Sequence, residues 1–317
     1  MKVAIIVPVS PFEPLKIIKD SIRHLKSLNW NDLSYKLIYV IDKKDDNDRR
    51  AETLKNEGII VLERNTTRGK RGGAINDALS ILDDEEYVAI FDVDSRPEKN
   101  FIIRCVEALE RDERAYIASS KRYVSNPINL VSRTVEIEYH IINFLLKKSA
   151  FKQFNGLIGV LRAKFLIKYK LNEYAVTEDA DFATRMHSEG YRAILVENTK
   201  LFEQAPIKWK DLYNQRKRWY YGGLQLWKYW KKVLRSSFNF AISWFSALTL
   251  TYVIVLVLPL LILAPPIILY KFRKIKKLVL VVGLFVHVLV LQLAAVVALV
   301  NFIRKRGVEW GQMERVI

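Results

Sequence analysis

Several short stretches carry residue types able to do chemistry. Asp92 and Asp94 stand one residue apart at the end of the apolar run Tyr87-Val88-Ala89-Ile90-Phe91, and Ser95-Arg96-Pro97 then turns the chain away. Two carboxylates so close repel each other unless a cation lies between them, and a hard divalent metal that also grips a phosphate is the simplest candidate. The plain alternative is a pair of solvated turn residues, since Asp is common after strands. Upstream, Arg64-Asn65-Thr66-Thr67-Arg68-Gly69-Lys70-Arg71-Gly72-Gly73 gathers cations and glycines just before a helix start. Backbone amides, a helix dipole and basic side chains converge there, which suits a phosphate. The spacing matches neither the P-loop nor the dinucleotide glycine pattern, and a solvated basic loop is the competing reading. Downstream, Thr177-Glu178-Asp179 opens a helix, where acids also serve simply to offset the helix dipole. Gln215-Arg216-Lys217-Arg218-Trp219 sets Gln215, Arg218 and Trp219 on one helical face, at spacings of three and four.

The elements that must position these residues follow from periodicity. Val3 to Val7, Leu37 to Ile41, Gly58 to Leu62 and Tyr87 to Phe91 are short apolar runs that predict buried strands, and Asp42 ends the second as Asp92 and Asp94 end the fourth. Between them, Leu15 to Leu28 has apolar residues at helical spacing, a polar helix holds Arg50, Glu52 and Lys55, and a third helix opens near Gly72. This alternation predicts a doubly wound α/β fold with a mostly parallel sheet, whose ligands bind at the strands' C-terminal ends. Beyond Asp94 the pattern predicts a helix around Ile102 to Leu109, a strand at Tyr116 to Ala118 and an amphipathic stretch from Ile128 to Phe151, too polar at Glu136 and Glu138 to span a membrane, which either lies on one or, the reading preferred, is packed core. Phe154 to Arg162 reads as a glycine-kinked strand, and Thr177 as the N-cap of a helix that ends at Gly190, before a strand at Ala193 to Val196.

Composition adds a membrane. Phe238 to Tyr270 and Leu278 to Ile303 contain no Lys, Arg, Asp or Glu, and each exceeds the ~20 residues that cross a bilayer as a helix. The formal charge of +17 therefore belongs to the rest of the chain, which suits an anionic lipid surface and anionic substrates. Nucleic acid is disfavoured, because Lys and Arg interleave with aromatics only near the apolar tail. Trp227, Tyr229 and Trp230, with Lys228, Lys231 and Lys232, have the make-up of a helix at headgroup level. Cys105 is the only cysteine, so no disulfide framework or thiolate metal site is available. His287 falls inside an apolar span, where a neutral imidazole bonded to a neighbouring helix is expected. No signal peptide precedes the first strand, so the N-terminal part is expected in the cytosol, anchored from its C-terminal end.

Asp42, Asp92 and Asp94, Thr177-Glu178-Asp179 and Gln215-Arg216-Lys217-Arg218-Trp219 occur in an order that resembles the membrane-bound family-2 glycosyltransferases of GT-A fold, the group including cellulose, chitin and hyaluronan synthases. The resemblance covers about Met1 to Trp230 as ordered motifs. It implies that Asp42 contacts the nucleotide, commonly uridine, and that Asp92 and Asp94 are the Asp-x-Asp pair, with Asp94 the direct ligand of a divalent metal, Mg or Mn. It further implies that Asp179 is the general base, that Gln215, Arg218 and Trp219 meet the diphosphate and acceptor sugar together with Glu178, and that Asn155 and Gly156 form the acceptor-pocket floor. Where the family often has Lys-Ala-Gly-Ala-Leu-Asn, this chain has Arg71-Gly72-Gly73-Ala74-Ile75-Asn76, so Lys70 and Arg71 both stand as phosphate-binding candidates.

The expected protein is an inverting, metal-dependent glycosyltransferase that moves a sugar from a UDP-sugar to a saccharide with β-linkage. The expected organisation is a cytosolic catalytic domain over 1–207, interfacial helices over 208–237, a membrane module of about two spans over 238–303 and a cytosolic tail over 304–317. The expected location is the cell membrane. Gln-x-x-Arg-Trp favours a processive polysaccharide synthase, whereas only two spans favour single addition to a lipid acceptor; a homo-oligomer is open. Two spans place Lys271, Arg273, Lys274, Lys276 and Lys277 outside, against the positive-inside tendency, though basic cytosolic flanks including Arg235, Arg304 and Arg315 outweigh them. Pro259, Pro265 and Pro266 leave room for a broken first segment.

Overall fold

The computed structural model describes residues 1–31, 33–272, 275–308, 314 and 316. Arg273, Lys274 and Arg315, which enter the expected topology, lie outside the described residues.

The first strand, β1 (Lys2–Val9), is buried from Val3 through Val7, the signature of a strand covered on both faces. Its side chains divide by parity. Val3, Ile5 and Val7 pack with Ile17, Ile18, Ile22 and Leu25 of α1 (Leu15–Lys26). Ala4 and Ile6 face the opposite way, toward Ile38 and Val40 of β2 (Ser34–Asp42) and Ala74, Ile75 and Ala78, beyond α2 (Arg50–Asn56) and β3 (Ile60–Arg64), in α3 (Lys70–Ala78). One strand thus nails two helical layers to the sheet. Next comes β4 (Tyr87–Ile90), wholly buried.

The remaining elements are β5 (Arg96–Pro97), α4 (Phe101–Glu110), β6 (Ala115–Val124), α5 (Leu130–Lys148), β7 (Gly159–Arg162), α6 (Ala163–Tyr169), α7 (Glu178–Ser188) and β8 (Arg192–Glu203). The sheet runs β3-β2-β1-β4-β7-β6-β8-β5. Its β3, β2, β1 and β4 are parallel, as predicted, and so are β6 and β8. Four of the seven pairings are parallel, as the expected mostly parallel sheet requires, but β7 enters between β4 and β6 antiparallel to both, and β5 is antiparallel to β8. The sheet is mixed. Parallel order on the β1 side still brings the C-terminal ends of β1, β2 and β4 to one edge, and Asp42 and Asp92 emerge there.

Local expectations also shift. Asn155–Leu157 is a short 3₁₀ turn rather than strand, and β7 starts only at Gly159. Thr177 occupies the N-cap of α7, but its hydroxyl makes no capping bond. The α5 helix is core on one face, through Val131, Val135 and Tyr139, while Ile141, Phe144 and Leu145 are exposed on the other.

The Gln215-to-Trp219 stretch lies mid-way along one continuous helix, α8 (Trp209–Gln225), followed by a 3₁₀ turn and α9 (Trp230–Leu234). The apolar tail has two helical stretches long and apolar enough to cross a membrane, Phe238–Ile267 and Val279–Ile303. The first is broken: α10 (Phe238–Leu250) tightens to 3₁₀ geometry over Thr251–Leu263, where Pro259 lacks a backbone donor, and continues as α11 (Ala264–Phe272). The second is a single helix, α12 (Val279–Ile303), which packs along α8 and against α5. His287 projects from it and bonds α5, as expected, through Nδ1 to Thr134 Oγ1 at 3.0 Å.

Where α8 crosses the start of α7 the approach is close. A Cβ built on Gly222 would stand 2.2 Å from Thr177 Oγ1, whereas one on Gly223 meets only Leu248 Cδ2 at an ordinary 3.5 Å. Gly222→Ala is therefore expected to destabilise the protein by about 1–3 kcal/mol through overpacking. Gly223→Ala is expected to be neutral or slightly stabilising, since Ala is the better helix former. Thermal melts of the two variants check this; equal melting temperatures would contradict it.

Candidate active site

At the C-terminal edge of β1, β2 and β4 the protein opens a cleft of about 690 Å³. Asp42, Lys70, Arg71, Asp92, Asp94, Asn155, Gly156, Glu178, Asp179, Gln215, Arg218 and Trp219 all line it, so every site residue singled out from the sequence meets in one place.

One side is built on strand ends. Asp42 is buried at the end of β2, with Arg64 Nη1 3.2 Å from Oδ1. Arg64 also reaches Asp77 Oδ2 at 3.0 Å and donates to the Lys70 carbonyl at 3.0 Å and to that of Arg68. A single guanidinium thereby folds the basic loop back over the start of α3. Burial pushes the Asp42 carboxyl up to about 6, with Arg64 pulling down and Asp77 pushing up. Lys70, in the left-handed region at φ 48, also lines the cleft, and burial, followed by repulsion from Arg218, lowers its ammonium.

Arg71 lies on the cleft floor. Its Nε is 2.9 Å from Asp92 Oδ1 and its Nη1 is 3.0 Å from Glu178 Oε1, joining the strand-end acid to the first turn of α7. Burial works against this guanidinium, but Asp92 and Glu178 more than offset it and raise its value. Glu178 is itself pushed up by burial, with Arg71 pulling down and neighbouring Asp179 adding repulsion. Of the two basic candidates, Arg71 is thus tied to carboxylates, while the Lys70 ammonium lies near Arg218. Asp94 is buried, and its Oδ2 accepts the Gln204 backbone N–H at 3.1 Å.

The opposite side is built on helices. Asp179 is buried in the first turn of α7, and its Oδ2 accepts the Gly156 N–H at 2.5 Å. Gly156 is at φ 67, a conformation that glycine reaches without strain, and this turns its amide toward the carboxylate. The next acid on α7, Asp181, is fully buried and bonded by Asn172, Arg185 and Tyr229, with Lys228 Nζ 3.0 Å away, so the helix is pinned against the chain following α8. From α8, Gln215, Arg218 and Trp219 reach the cleft; burial lowers the Arg218 guanidinium against the pull of Glu178, Asp179 and Asp92.

Residues not singled out from the sequence complete the wall. Glu203, at the end of β8, lies 3.1 Å from Arg122 Nη1 and accepts the Tyr139 hydroxyl at 2.8 Å, while Arg122 also donates to the Asn155 carbonyl. Burial raises the Glu203 carboxyl, with Arg122 pulling down and Asp94 pushing up. The one cue in the sequence is the chain order Glu203-Gln204-Ala205-Pro206, a polar pair closing a strand. At the rim, Glu314 lines the cleft and pairs with Lys208, and the Val316 backbone exchanges two 2.9 Å bonds with the Gln204 side chain.

Carboxylates outnumber cations along this wall although the chain as a whole carries +17. Among the described residues no group of three or more His, Cys, Asp or Glu is placed to cage a metal ion. Asp92 and Asp94 alone suit a hard cation that keeps open positions for phosphate oxygens, the usual manner of Mg²⁺.

Fold and motif order together define a glycosyltransferase. Residues 87–300 match the model of glycosyl transferase family group 2, which is more than half of the chain, and the protein belongs to that family. Among solved structures, the mannosyltransferase PcManGT of Pyrobaculum calidifontis, described in complex with GDP-Man and Mn²⁺, is 19% identical, with a TM-score of 0.65 over 96% of this chain and 88% of that one. The S. aureus TarS structure is 15% identical, with a TM-score of 0.52 over 78% of this chain and 43% of that one. These likenesses establish the GT-A type of mixed α/β fold. Among curated relatives, a probable glucomannan 4-beta-mannosyltransferase 3 of Oryza sativa subsp. japonica is 27% identical over 55% of this chain and 33% of its own length. Glucomannan 4-beta-mannosyltransferase 7 of Arabidopsis thaliana is 25% identical over 70% and 43%. The chain thus spans a third to under half the length of these relatives.

The raised Asp42 carboxyl has a measurable sign. Between its unfolded value near 4 and its folded value of about 6 the folded state holds the extra proton, so this group's contribution to stability falls as pH rises through that window. In melts from pH 4.5 to 7, Asp42→Asn should gain on the wild type as pH increases. A gap that is constant or moves the other way would refute this.

Proposed function

We propose that the protein is an inverting glycosyltransferase that moves a hexose from a nucleoside diphosphate sugar to a sugar hydroxyl at the cytosolic face of a membrane. The observation that carries this reading is the placement of Asp179, held by the Gly156 amide, across one cleft from the Asp92 and Asp94 pair. A sugar hydroxyl is a poor nucleophile until a positioned carboxylate takes its proton, and Asp179 is given that role. A single base with no enzyme nucleophile implies one displacement, so an α-linked donor yields a β-linkage.

On the donor side, Asp42 is assigned to the nucleotide and Lys70 and Arg218 to the diphosphate, with Arg71 holding Asp92 and Glu178 in register. Asp94 and Asp92 would hold a divalent metal, Mg or Mn, whose charge neutralises the leaving diphosphate. The surplus of acid in the cleft wall supports that assignment, since a diphosphate would otherwise face net repulsion. On the acceptor side, Gln215, Trp219, Asn155 and Gly156 form the sugar-binding surface.

The names of the curated relatives and of the neighbour PcManGT support mannose as the transferred sugar and GDP-mannose as the donor to test first, ahead of the UDP-sugars expected from the sequence. The Gln-x-x-Arg-Trp set supports a growing polysaccharide as acceptor; product length separates this from one addition to a lipid.

Purified full chain in lipid nanodiscs is expected to release GDP from GDP-mannose in the presence of a saccharide acceptor. Asp179→Asn should reduce transfer about 10²–10⁴-fold, the range for a lost general base, with nucleotide binding retained. Unchanged transfer would remove the base assignment. Chelation by EDTA should abolish transfer and added Mn²⁺ or Mg²⁺ restore it; full activity in EDTA would remove the metal assignment.

A further inference from the structure

Of the two residues between Gln215 and the phosphate-side Arg218, Arg216 lies behind the cleft wall, inside the molecule. It is 1% exposed, among the largest fully buried side chains. Its partners come from two other helices. Arg216 Nη2 and Nε donate to Glu138 Oε2 and Oε1 of α5 at 2.6 and 3.2 Å, a bidentate pair. His287 Nε2 of α12 lies 3.3 Å from the same Glu138 Oε2. Burial works against the Glu138 charge, but Arg216 outweighs it and holds the carboxyl down at about 2, so the pair is ionised at any working pH.

The same guanidinium has a second set of contacts, facing the cleft. Its Nη1 donates to Gln215 Oε1, and its central carbon sits 4.1 Å from the centroid of the Trp219 ring. A guanidinium has donors and no acceptor. The amide oxygen of Gln215 must therefore face Arg216, which turns the Gln215 NH₂ toward the cleft as a donor. The ring of Trp219 is likewise fixed from behind by a cation over its face.

We infer that Arg216, anchored on Glu138 and closed off by His287 of the apolar helix α12, is a positioning residue that orients the Gln215 amide and the Trp219 ring for the acceptor sugar. The inference rests on the acceptor assignment above. It adds that the group met by Gln215 is a hydrogen-bond acceptor, such as a hydroxyl or ring oxygen, and that the geometry is enforced by a helix of the apolar tail. If the role were only to satisfy a buried carboxylate, any cation at residue 216 would serve. If it is positioning, only the planar fork serves.

The test compares Arg216→Lys, the doubly neutral Arg216→Met with Glu138→Gln, and Gln215→Glu, all in full chain in nanodiscs. The double variant leaves no buried charge unpaired and so keeps the fold available. Expected in each is a loss of about 10- to 100-fold in kcat/KM for the acceptor, as for small misplacements of binding groups, with the Kd for GDP or UDP within about twofold of wild type. Arg216→Lys restoring acceptor turnover, Gln215→Glu leaving it unchanged, or nucleotide affinity falling in parallel would each overturn the inference. A readout without turnover separates this from failure of the proposed reaction. The Trp219 emission, taken as the difference from Trp219→Phe, should shift in the Arg216 variants even if the wild type transfers no sugar. An unshifted Trp219 signal would overturn positioning; a shifted one with an inactive wild type would overturn the reaction and leave the positioning standing.

Discussion

Carboxylates crowded into a half-enclosed cleft stay ionised only if cations are built in beside them. In this protein the cation on which the arrangement turns is Arg71, which bridges Asp92 at the end of β4 to Glu178 at the start of α7. These two acids come from opposite halves of the catalytic unit, one carried by the parallel strands and the other by the helical side. Their shared guanidinium sets the distance across the cleft floor. Asp94 and Asp179, neighbours of the bridged pair in sequence, are thereby held facing the same space while each takes a separate backbone amide, from Gln204 and Gly156. Removing Arg71 would leave the buried Glu178 carboxylate without its cation and facing the half-exposed Asp92, a larger cost than the loss of one contact.

The parts of the site read from the sequence share a physical property: each is announced locally. Asp42, Asp92 and Asp94 end apolar runs, Glu178 and Asp179 open a helix, and Gln215, Arg218 and Trp219 repeat at helical spacing. Periodicity and end-of-strand position are enough to suggest that such residues face a common edge. Arg122 and Tyr139 carry no such mark, and Glu203 only the weak one of closing a strand. Their meeting depends on β8 lying beside β6 and on α5 crossing both, pairings between residues far apart in the chain. The antiparallel entry of β7 was hidden for the same reason, since a four-residue apolar strand reads identically in either direction. The Asn155–Leu157 turn reads as strand in the sequence because glycines in an apolar stretch suit a bulge as well as they suit a left-handed turn.

Arg216 shows a different kind of illegibility. In the sequence it is one cation in a run of them, and the natural reading of Arg216-Lys217-Arg218 is a basic helical face. The structure separates the three: Arg218 reaches the cleft, Arg216 is buried behind it, and Lys217 stacks near Tyr213. Only the buried carboxylate of Glu138, itself placed on what sequence suggested was a simple core helix, distinguishes Arg216 from its neighbours. A charged residue inside an apolar packing environment is stable only with a partner, so neutralising either member alone strands the charge of the other.

The two sides of the cleft consequently rest on unlike supports. The strand-end side, with Asp42 and Asp92, rests on strands whose side chains are locked into both layers of the sheet, a foundation that hardly depends on the surroundings of the molecule. The helical side is carried by α8, which lies between the cleft and α12, with the Arg216–Glu138 pair and His287 at the contact. If α12 spans a bilayer, its tilt and depth are set by hydrocarbon thickness and by its flanking residues. Any such displacement would bear on α8 before it reached the sheet. The helical half of the cleft, with Gln215, Arg218 and Trp219 on α8, is therefore the half that such a displacement reaches first, while the half built on Asp42 and Asp92 is braced by the parallel strands.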